Sequence, residues 1–251
     1  MSETILITGG TGKFGRVFVR HFLNKGFNVI FTSTDLERAE EFKESFHGVG
    51  DLSSYICDFT TKEAVSNFMQ ELSKSSRKIN HLINNARSLS SLAVNHQGRT
   101  DRDCFLNEYL MDVVVPYELS MELASMNGSK LRTVINIGSQ YGVVAATPRL
   151  YDDHLIQSPI QYGVAKAALM HLTKELAVRL AKSHVRVNCV AYGGVEGRVD
   201  VDFRKRYAEL VPTGKMLNES EITGPVDFLI QESSSSVTGH TLIADGGWTL
   251  W

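Results

Sequence analysis

A tyrosine and a lysine stand four residues apart at the start of a predicted helix, at Tyr162 and Lys166. This spacing places both side chains on one face of the helix. An ammonium group held near a phenol stabilises the phenolate form, so the tyrosine can exchange a proton near neutral pH. The pair predicts acid–base chemistry, whereas the same spacing on an ordinary solvated helix face would carry none.

Glycines cluster between the first predicted strand and the first predicted helix, in the sequence TGGTGKFG at residues 8–15. Glycine lets the backbone turn sharply and approach a pyrophosphate, whose charge is stabilised by the helix N-terminus. Such turns also occur without a ligand, but the strand–turn–helix context favours dinucleotide binding. The residues that we expect to contact the dinucleotide here are Gly9, Thr11, Gly12, Lys13, Phe14 and Gly15.

The end of the second predicted strand discriminates between two dinucleotides. An acidic side chain there would accept a hydrogen bond from a ribose 2′-hydroxyl and repel a 2′-phosphate. Here Ser33 and Thr34 occupy the turn, and Asp35 comes one place later. Hydroxyl groups at this point, with Lys13 and Arg38 near them, suit a phosphate and favour NADP(H) over NAD(H). The alternative is ordinary capping of the next helix by Thr34 or Asp35.

Short strand-type runs alternate with longer segments of helical periodicity, a pattern typical of a parallel sheet with helices on both faces. The predicted strands cover residues 4–8, 28–32, 55–58, 81–84, 133–137, 185–190 and 241–244. The predicted helices cover residues 14–25, 36–46, 61–74, 104–126 with a break or bend near Pro116, and 162–182. We therefore predict one doubly wound α/β domain over residues 1–251, with a seven-stranded parallel sheet.

Two connections are long enough to be functional rather than simple turns. Residues 87–103 follow the fourth strand and residues 193–219 follow the sixth. Both emerge at carboxyl ends of strands, where doubly wound sheets bind ligands. We expect these two loops, together with residues 143–160, to contact the substrate.

Composition excludes several classes of protein. The chain has 251 residues, 26 basic and 28 acidic side chains, a net charge of -2 and 43% hydrophobic residues. This content supports a folded core, and the near-zero charge gives no field that would attract nucleic acid or an anionic membrane. No apolar run approaches the ~20 residues that span a bilayer. Dispersed cysteines and histidines predict reduced thiols, no metal site and a cytoplasmic location.

Together, the motifs resemble those of the short-chain dehydrogenase/reductase family over essentially the whole chain. The glycine turn, Asn84-Asn85-Ala86, the Tyr162/Lys166 pair and the terminal Asp245-Gly246-Gly247 occur in the family's order. The resemblance implies a single-domain Rossmann fold and an NAD(P)-dependent oxidoreductase. Such an enzyme transfers hydride between nicotinamide and a carbonyl or hydroxyl carbon.

The resemblance also implies individual roles. Tyr162 would exchange a proton with the substrate oxygen, and Lys166 would tune Tyr162 and hold the nicotinamide ribose. Ser139 would hydrogen-bond the same substrate oxygen, and Asp58 would face the adenine. Other residues expected along the cofactor cleft are Phe59, Asn85, Ala86, Gly193 and Val195.

Several positions depart from the family pattern. The glycine turn has a spacing more usual in other branches, Arg87 replaces a glycine after Asn-Asn-Ala, and Gly197 stands where a threonine is expected. Asp112 takes the place of the family's fourth active-site residue, an asparagine that acts partly through its backbone carbonyl. A carboxylate there would stabilise the Lys166 ammonium, or would merely pair with another neighbouring cation.

The segment before Tyr162 is longer than is usual in the family. Tyr151 has the more usual spacing from Ser139, but Leu155 stands where its lysine partner would be, so we favour Tyr162. The added segment, residues 147–154, is expected to lie over the active site. Its polar groups, with Arg87 and Arg99, suit a hydrophilic or anionic substrate, although surface loops are polar in any case.

A finer resemblance points to the substrate. The sequence SQYGVV at residues 139–144, the elongated segment before Tyr162 and the DGGWTLW terminus are similar to oxidoreductases found with flagellin and nonulosonate-sugar pathways. This implies a small polar substrate such as an amino sugar, a sugar phosphate or a sugar acid, and so a role in carbohydrate metabolism.

Two other functions remain open. A 3-oxoacyl-thioester reductase would need a basic patch for its acyl carrier protein, and only Arg87, Arg99 and Arg102 offer one. A catalytically retired family member used for binding or regulation would explain Asp112, Arg87 and Gly197, but the intact Ser139, Tyr162 and Lys166 argue against it. The family further implies a homodimer or homotetramer, formed through the helices that carry Asp112 and Tyr162.

Overall fold

The computed structural model describes residues 2–46, 48–75, 77–197 and 199–251. Seven parallel strands form one sheet in the order β3-β2-β1-β4-β5-β6-β7. The strands are β1 (Thr4–Ile7), β2 (Asn28–Ser33), β3 (Leu52–Ile56), β4 (His81–Asn84), β5 (Thr133–Ser139), β6 (Arg186–Tyr192) and β7 (Thr241–Ala244). The predicted doubly wound sheet is therefore confirmed.

Helices pack on both faces of the sheet and bury two apolar clusters. They are α1 (Lys13–Asn24), α2 (Leu36–Glu44), α3 (Ala64–Lys74), α4 (Arg102–Tyr109), α5 (Val115–Ser125), α6 (His154–Gln157), α7 (Ile160–Leu180), α8 (Val201–Leu210) and α9 (Thr223–Ile230). Because the central strands are covered on both faces, all four residues of β1 are buried. Among the described residues, no helix is long and apolar enough to cross a membrane.

The strand order reverses between β1 and β4. Ile5 of β1 pairs with Val29 of β2 on one side and with His81 of β4 on the other. The chain thus winds outward in opposite directions from β1, and the connections at the carboxyl ends of these strands part to leave a crevice. The candidate site lies in this crevice.

The single bent helix predicted over residues 104–126 is instead three pieces. Between α4 and α5, residues Leu110–Val114 form a π-helical turn, and the Val115 amide donates to the Leu110 carbonyl. Pro116 follows in the first turn of α5. Because proline has no N–H and its ring crowds the carbonyl four residues earlier, that of Asp112, regular α-helical pairing cannot continue through this point. The wider turn carries Asp112.

Other elements also differ from the sequence prediction. Strand β3 begins at Leu52 rather than at residue 55, with two serines inside it, because it lies at the sheet edge and is only partly buried. The connection over residues 193–219 contains α8, which Asp200 caps by accepting from the Phe203 amide at 2.8 Å. The connection over residues 143–160 contains the short helix α6.

Gly15 tests how closely α1 packs on the glycine turn. A Cβ at this position would lie 2.1 Å from the Gly9 carbonyl oxygen and 2.7 Å from the Gly10 Cα. Both are backbone atoms, so Gly15→Ala should lower the free energy of unfolding by about 1–3 kcal/mol in urea titrations. Gly224→Ala on α9 is the control, since nothing lies within 4 Å of its new Cβ. Equal stabilities of the two variants would contradict this packing.

Candidate active site

One cleft of about 730 Å³ opens at the carboxyl ends of the central strands. The glycine turn, the segments that follow β2 to β6 and the first turns of α7 line it. The sequence-predicted residues on its walls are Gly9, Thr11, Gly12, Lys13, Phe14, Ser33, Thr34, Asp58, Phe59, Asn85, Ala86, Ser139, Tyr162, Lys166, Gly193 and Val195. Gly15 and Asp112 lie behind the walls: Gly15 is packed under the glycine turn and Asp112 is buried beside Lys166.

The glycine turn presents backbone rather than side chains to the cleft. Gly9 has φ +67°, and a Cβ there would lie 2.9 Å from the Ala86 Cα. Gly12 is the N-cap of α1, and as a glycine it has no side chain that could cap the helix. An uncapped helix N-terminus beside a glycine turn fits a pyrophosphate, and the elongated cleft fits a dinucleotide.

Thr8 joins the glycine turn to the end of β4. Its hydroxyl accepts from the amides of Asn85 and Ala86, both at 2.9 Å. The Asn85 side-chain amide donates in return to the Thr8 carbonyl at 2.9 Å. Asn85 thus shapes the cleft by holding two loops together. Thr8 is a site residue that the motifs do not assign, although its place at the head of the glycine turn is a usable signal.

At the end of β2, some side chains already have hydrogen-bond partners within the protein, whereas others face the cleft. The Ser33 hydroxyl is buried and lies 2.9 Å from the Thr11 hydroxyl. The Asp35 carboxylate caps α2 by accepting a hydrogen bond from the Arg38 amide at 3.0 Å. This is the helix capping that the sequence analysis gives as the alternative function of these residues. Thr34 and the Arg38 side chain remain on the cleft wall, where an added phosphate can reach them.

The Lys13 ammonium does not point to the end of β2, where a 2′-phosphate would lie, but to the connection after β6. It donates to the Val195 carbonyl at 2.9 Å and to the Glu196 carbonyl. These bonds tie the glycine turn to the connection after β6. Gly197 follows with φ +125°, and a Cβ there would lie 3.2 Å from the Lys13 Nζ. The Lys13 ammonium is directed at carbonyl oxygens, so Arg38 is the better placed cation for a phosphate.

Asp58 and the connection after β6 border the cleft on opposite sides. Asp58 Oδ1 accepts from the Thr60 amide at 3.0 Å and from the Thr60 hydroxyl at 2.7 Å. This turn directs the chain after β3 along the cleft wall. Gly193 comes so near the chain after β7 that a Cβ would lie 2.8 Å from the Asp245 Cα. A larger residue at Gly193 would push this wall inward.

Lys166 and Asp112 form a buried ion pair. The Lys166 ammonium donates to Asp112 Oδ1 at 2.8 Å and to the Ile137 carbonyl of β5 at 2.9 Å. Burial, the largest single effect, disfavours the charged form of lysine, but the Asp112 carboxylate, its hydrogen bond and Tyr162 together outweigh burial, so the pKa of Lys166 lies above its ordinary value. The structure thus brings Asp112 to Lys166, the contact that the sequence analysis expected of a carboxylate at this position.

Tyr162 lies between two cations. The Arg87 guanidinium is 4.7 Å from the centroid of its ring, and the Lys166 ammonium is 5.7 Å from it. Ser139 ends β5 nearby, with its hydroxyl accepting from the Tyr141 amide at 3.2 Å. Ser139, Tyr162 and Lys166 therefore share the cleft with the glycine turn. Positive charge near a phenol favours its ionised form.

Tyr151 lies outside this arrangement. Its hydroxyl is 2.6 Å from the Tyr141 hydroxyl, and its ring packs edge-on against Phe203 of α8. Residues 143–160, all of which the structure describes, contribute no lining side chain to the cleft. Arg206 of α8 holds this segment by donating to the Leu150 carbonyl at 2.8 Å. The segment borders the site rather than covering it, unlike the predicted loop over the active site.

The remaining charged side chains near the cleft bear on metal binding and on the charge of the cleft wall. Within the ranges that the structure describes, no three histidine, cysteine or acidic side chains are grouped to hold a metal ion. From the loop after β4, Arg87, Ser88, Leu89 and Ser90 line the cleft, whereas Arg99 does not. Among the residues that the structure describes, the cationic side chains on the cleft wall are those of Lys13, Arg38, Arg87 and Lys166.

Comparison with known proteins agrees with this architecture. A family model described as enoyl-(acyl carrier protein) reductase matches residues 13–249. The post-translational flagellin modification protein A of Campylobacter coli is 26% identical, over 99% of both chains. The NADH-dependent L-xylulose reductase of Ambrosiozyma monospora is 24% identical, over 98% of this chain and 94% of its own. A short chain dehydrogenase from Leptospira borgpetersenii, solved with bound NAD+, has a TM-score of 0.84 at 28% identity, covering 99% of this chain and 93% of its own.

The fold, the cleft and these matches define an oxidoreductase of the short-chain type that depends on a nicotinamide dinucleotide. The chain belongs to the short-chain dehydrogenase/reductase family. The family predicted from the motifs is thereby confirmed, and so is the similarity to a flagellin-modification protein.

The buried pair gives a test of stability. Asp112→Asn leaves the Lys166 ammonium without its charged partner, so the free energy of unfolding should fall by about 3–5 kcal/mol. The control is Asp202→Asn, which removes one member of the exposed pair with Lys205 and should produce no measurable change. Urea denaturation followed by circular dichroism measures both. Equal stability of Asp112→Asn and the native protein would contradict a strong buried pair.

Proposed function

We propose that the protein transfers hydride between NADP(H) and a carbonyl or hydroxyl carbon of a small polar substrate, a sugar or sugar acid. The observation that carries the proposal is the meeting of Ser139, Tyr162 and Lys166 with the glycine turn in one cleft. The nicotinamide supplies or accepts the hydride when bound. The chain's own residues bind the dinucleotide, orient the substrate and move the proton.

Each polar group has a distinct part in this reaction. Tyr162 donates a proton to the substrate oxygen in reduction and takes it back in oxidation. The raised pKa of Lys166 makes the ammonium its resting form at neutral pH, and this positive charge lies 5.7 Å from the centroid of the Tyr162 ring. The Ser139 hydroxyl hydrogen-bonds the same substrate oxygen. Asp112 touches none of the reacting atoms and acts as a positioning residue by holding Lys166.

The preference for NADP(H) rests on the end of β2. The Asp35 carboxylate, which would repel a 2′-phosphate, is engaged in capping α2. Thr34 and Arg38 stand on the cleft wall, and a guanidinium with a hydroxyl is a suitable phosphate ligand. Lys13 is directed at the Val195 and Glu196 carbonyls, so we assign the phosphate to Arg38 rather than to Lys13.

The substrate class rests on charge and on relatives. Arg87 sits over the Tyr162 ring at the mouth of the cleft, where its guanidinium can meet a hydroxyl-rich or anionic substrate. The flagellin modification protein and the L-xylulose reductase support a sugar or sugar-like compound. The alternative is a 3-oxoacyl-thioester reductase, which the description of the family model favours. An acidic acyl carrier protein would need a basic patch, and of the described arginines predicted to form one, Arg87 lines the cleft whereas Arg99 and Arg102 do not.

We also propose a homodimer or homotetramer. Ile160, Val164 and Val178 of α7 are exposed, and so is Tyr117 of α5. Apolar side chains on the outer faces of these two helices suit packing across a two-fold axis. Four further apolar side chains on these helices and on the π-helical turn before α5 are only partly buried within one chain: Val114, Met121, Met170 and Leu172.

The first measurement is a titration of the protein with NADPH and with NADH, followed by nicotinamide fluorescence at fixed salt. We expect tighter binding of NADPH. Arg38→Gln should weaken NADPH binding roughly 10- to 100-fold, the effect of one charge-assisted hydrogen bond, and leave NADH binding unchanged. Arg204→Gln, a surface change on α8, is the control. Tighter binding of NADH would overturn the NADP(H) assignment, and binding of neither would overturn the enzyme itself.

Tyr162→Phe tests the chemistry with a keto-sugar and with an acetoacetyl thioester as substrates. Loss of the phenol should reduce turnover by about 10²- to 10⁴-fold while NADPH still binds. Tyr151→Phe, outside the cleft, should retain turnover. Unchanged turnover in Tyr162→Phe would contradict the mechanism. Faster reduction of the thioester than of the sugar by the native protein would establish the acyl alternative instead.

A further inference from the structure

A carboxyl group lies buried behind the catalytic lysine and has no place in the mechanism above. Glu108, near the end of α4, is 0% exposed. Neither of its carboxyl oxygens has a hydrogen-bond partner among the described residues, and the same holds for Asp112 Oδ2. Three buried acceptor oxygens without a donor are costly for an ionised pair of carboxylates. This cost is a reason to expect a proton on one of them.

The spacing of Glu108 and Asp112 brings them together. They stand four residues apart on either side of the junction between α4 and the π-helical turn, a spacing that keeps both on one helix face. Asp112 points to Lys166, at the inner end of the cleft. Glu108 is not part of the cleft lining, so it has no access to the substrate or the dinucleotide. Any effect on the reaction must pass through its neighbours.

The groups that face Glu108 come from three elements. Asp112 lies on the π-helical turn, Arg87 follows β4, and Lys166 lies on α7. Burial and the Asp112 charge raise the pKa of Glu108 to about 7, while Arg87 and Lys166 oppose this rise. No cation lies within 4 Å of Glu108 among the described residues to hold it ionised. Asp112, by contrast, has the Lys166 ammonium as a partner at 2.8 Å.

We propose that Glu108 is a proton store for the active site, connected to Tyr162 through Asp112 and Lys166. The inference rests on the proposed function, because it supplies the proton which that reaction consumes. A protonated Glu108 provides the O–H donor that Asp112 Oδ2 lacks. Glu108 touches no reacting atom and is therefore a positioning residue that acts through the ion pair.

The proton count closes over one reduction. Tyr162 gives its proton to the substrate oxygen and becomes a phenolate. The Lys166 ammonium returns a proton toward that phenolate and becomes a neutral amine. Glu108 passes its proton to Asp112 Oδ2, and rotation of the Asp112 carboxyl group presents it to the amine. Glu108 is left ionised and takes up one proton from water before the next turnover, and oxidation runs through the same steps in reverse.

Infrared spectroscopy of the purified protein tests the store without any substrate. The carboxylic acid band should disappear as the pH rises, with a midpoint near the pKa of about 7. This component should be missing in Glu108→Gln and retained in Glu122→Gln, the same substitution at an exposed position on α5. In Asp112→Asn, which leaves Glu108 in place, the midpoint should move to lower pH because a like charge has been removed.

The pH dependence of kcat is the second test of the proton store. In the reductive direction, native kcat should fall as Glu108 loses its proton above neutral pH. Glu108→Gln should lower kcat roughly 10- to 100-fold, abolish that limb and leave the KM for NADPH within about twofold, because the dinucleotide does not touch residue 108. A merely structural Glu108 would lower kcat equally at every pH and keep the limb.

The outcomes separate this inference from the proposed function. An infrared band that titrates far from neutrality, or that survives in Glu108→Gln, overturns the proton store whatever the activity. If the pH profile of kcat has the same shape in Glu108→Gln as in the native protein, the proton store is overturned as well, while the proposed oxidoreductase activity still stands. Failure of the native protein to bind either dinucleotide would remove the proposed function, while the infrared titration would still report the state of Glu108.

Discussion

The active site depends on one buried ion pair. The Lys166 ammonium binds Asp112 and the Ile137 carbonyl, and so connects α7, the π-helical turn and β5. A buried ammonium is stable only with such partners, because desolvation alone would remove its proton. The pair therefore holds the charge beside Tyr162 and holds three elements in register. Pro116 contributes indirectly, since it interrupts the helix where Asp112 must reach inward.

A second network of hydrogen bonds shapes the rest of the cleft. Thr8 and Asn85 join the glycine turn to the end of β4, while Lys13 joins the same turn to the connection after β6. These bonds leave the backbone of the turn and the start of α1 facing the cleft. Binding of the dinucleotide and proton transfer thus rely on different forces: the first on positioned backbone amides, the second on buried charge.

Much of the fold could be predicted because local pattern and tertiary environment agree. The strands at His81–Asn84 and Thr241–Ala244 have their predicted limits. Strand β3 was predicted too short, because at a sheet edge polar serines are as acceptable as apolar residues. The Ser139, Tyr162 and Lys166 constellation was readable from spacing and family order. The place of Lys13 was not, because its carbonyl partners come from a loop distant in sequence.

The sequence by itself determined the class of protein, the alternation of strands and helices and most of the residues that line the cleft, because glycine turns and hydrophobic periodicity act over short stretches of chain. Only the tertiary structure decided how the charges are arranged. Whether a carboxyl group is paired, exposed or buried depends on elements far apart along the chain. Asp112 and Glu108 are both acidic residues of one predicted helix, yet folding gives one a lysine partner and leaves the other buried with no ion-pair partner in the described part of the chain.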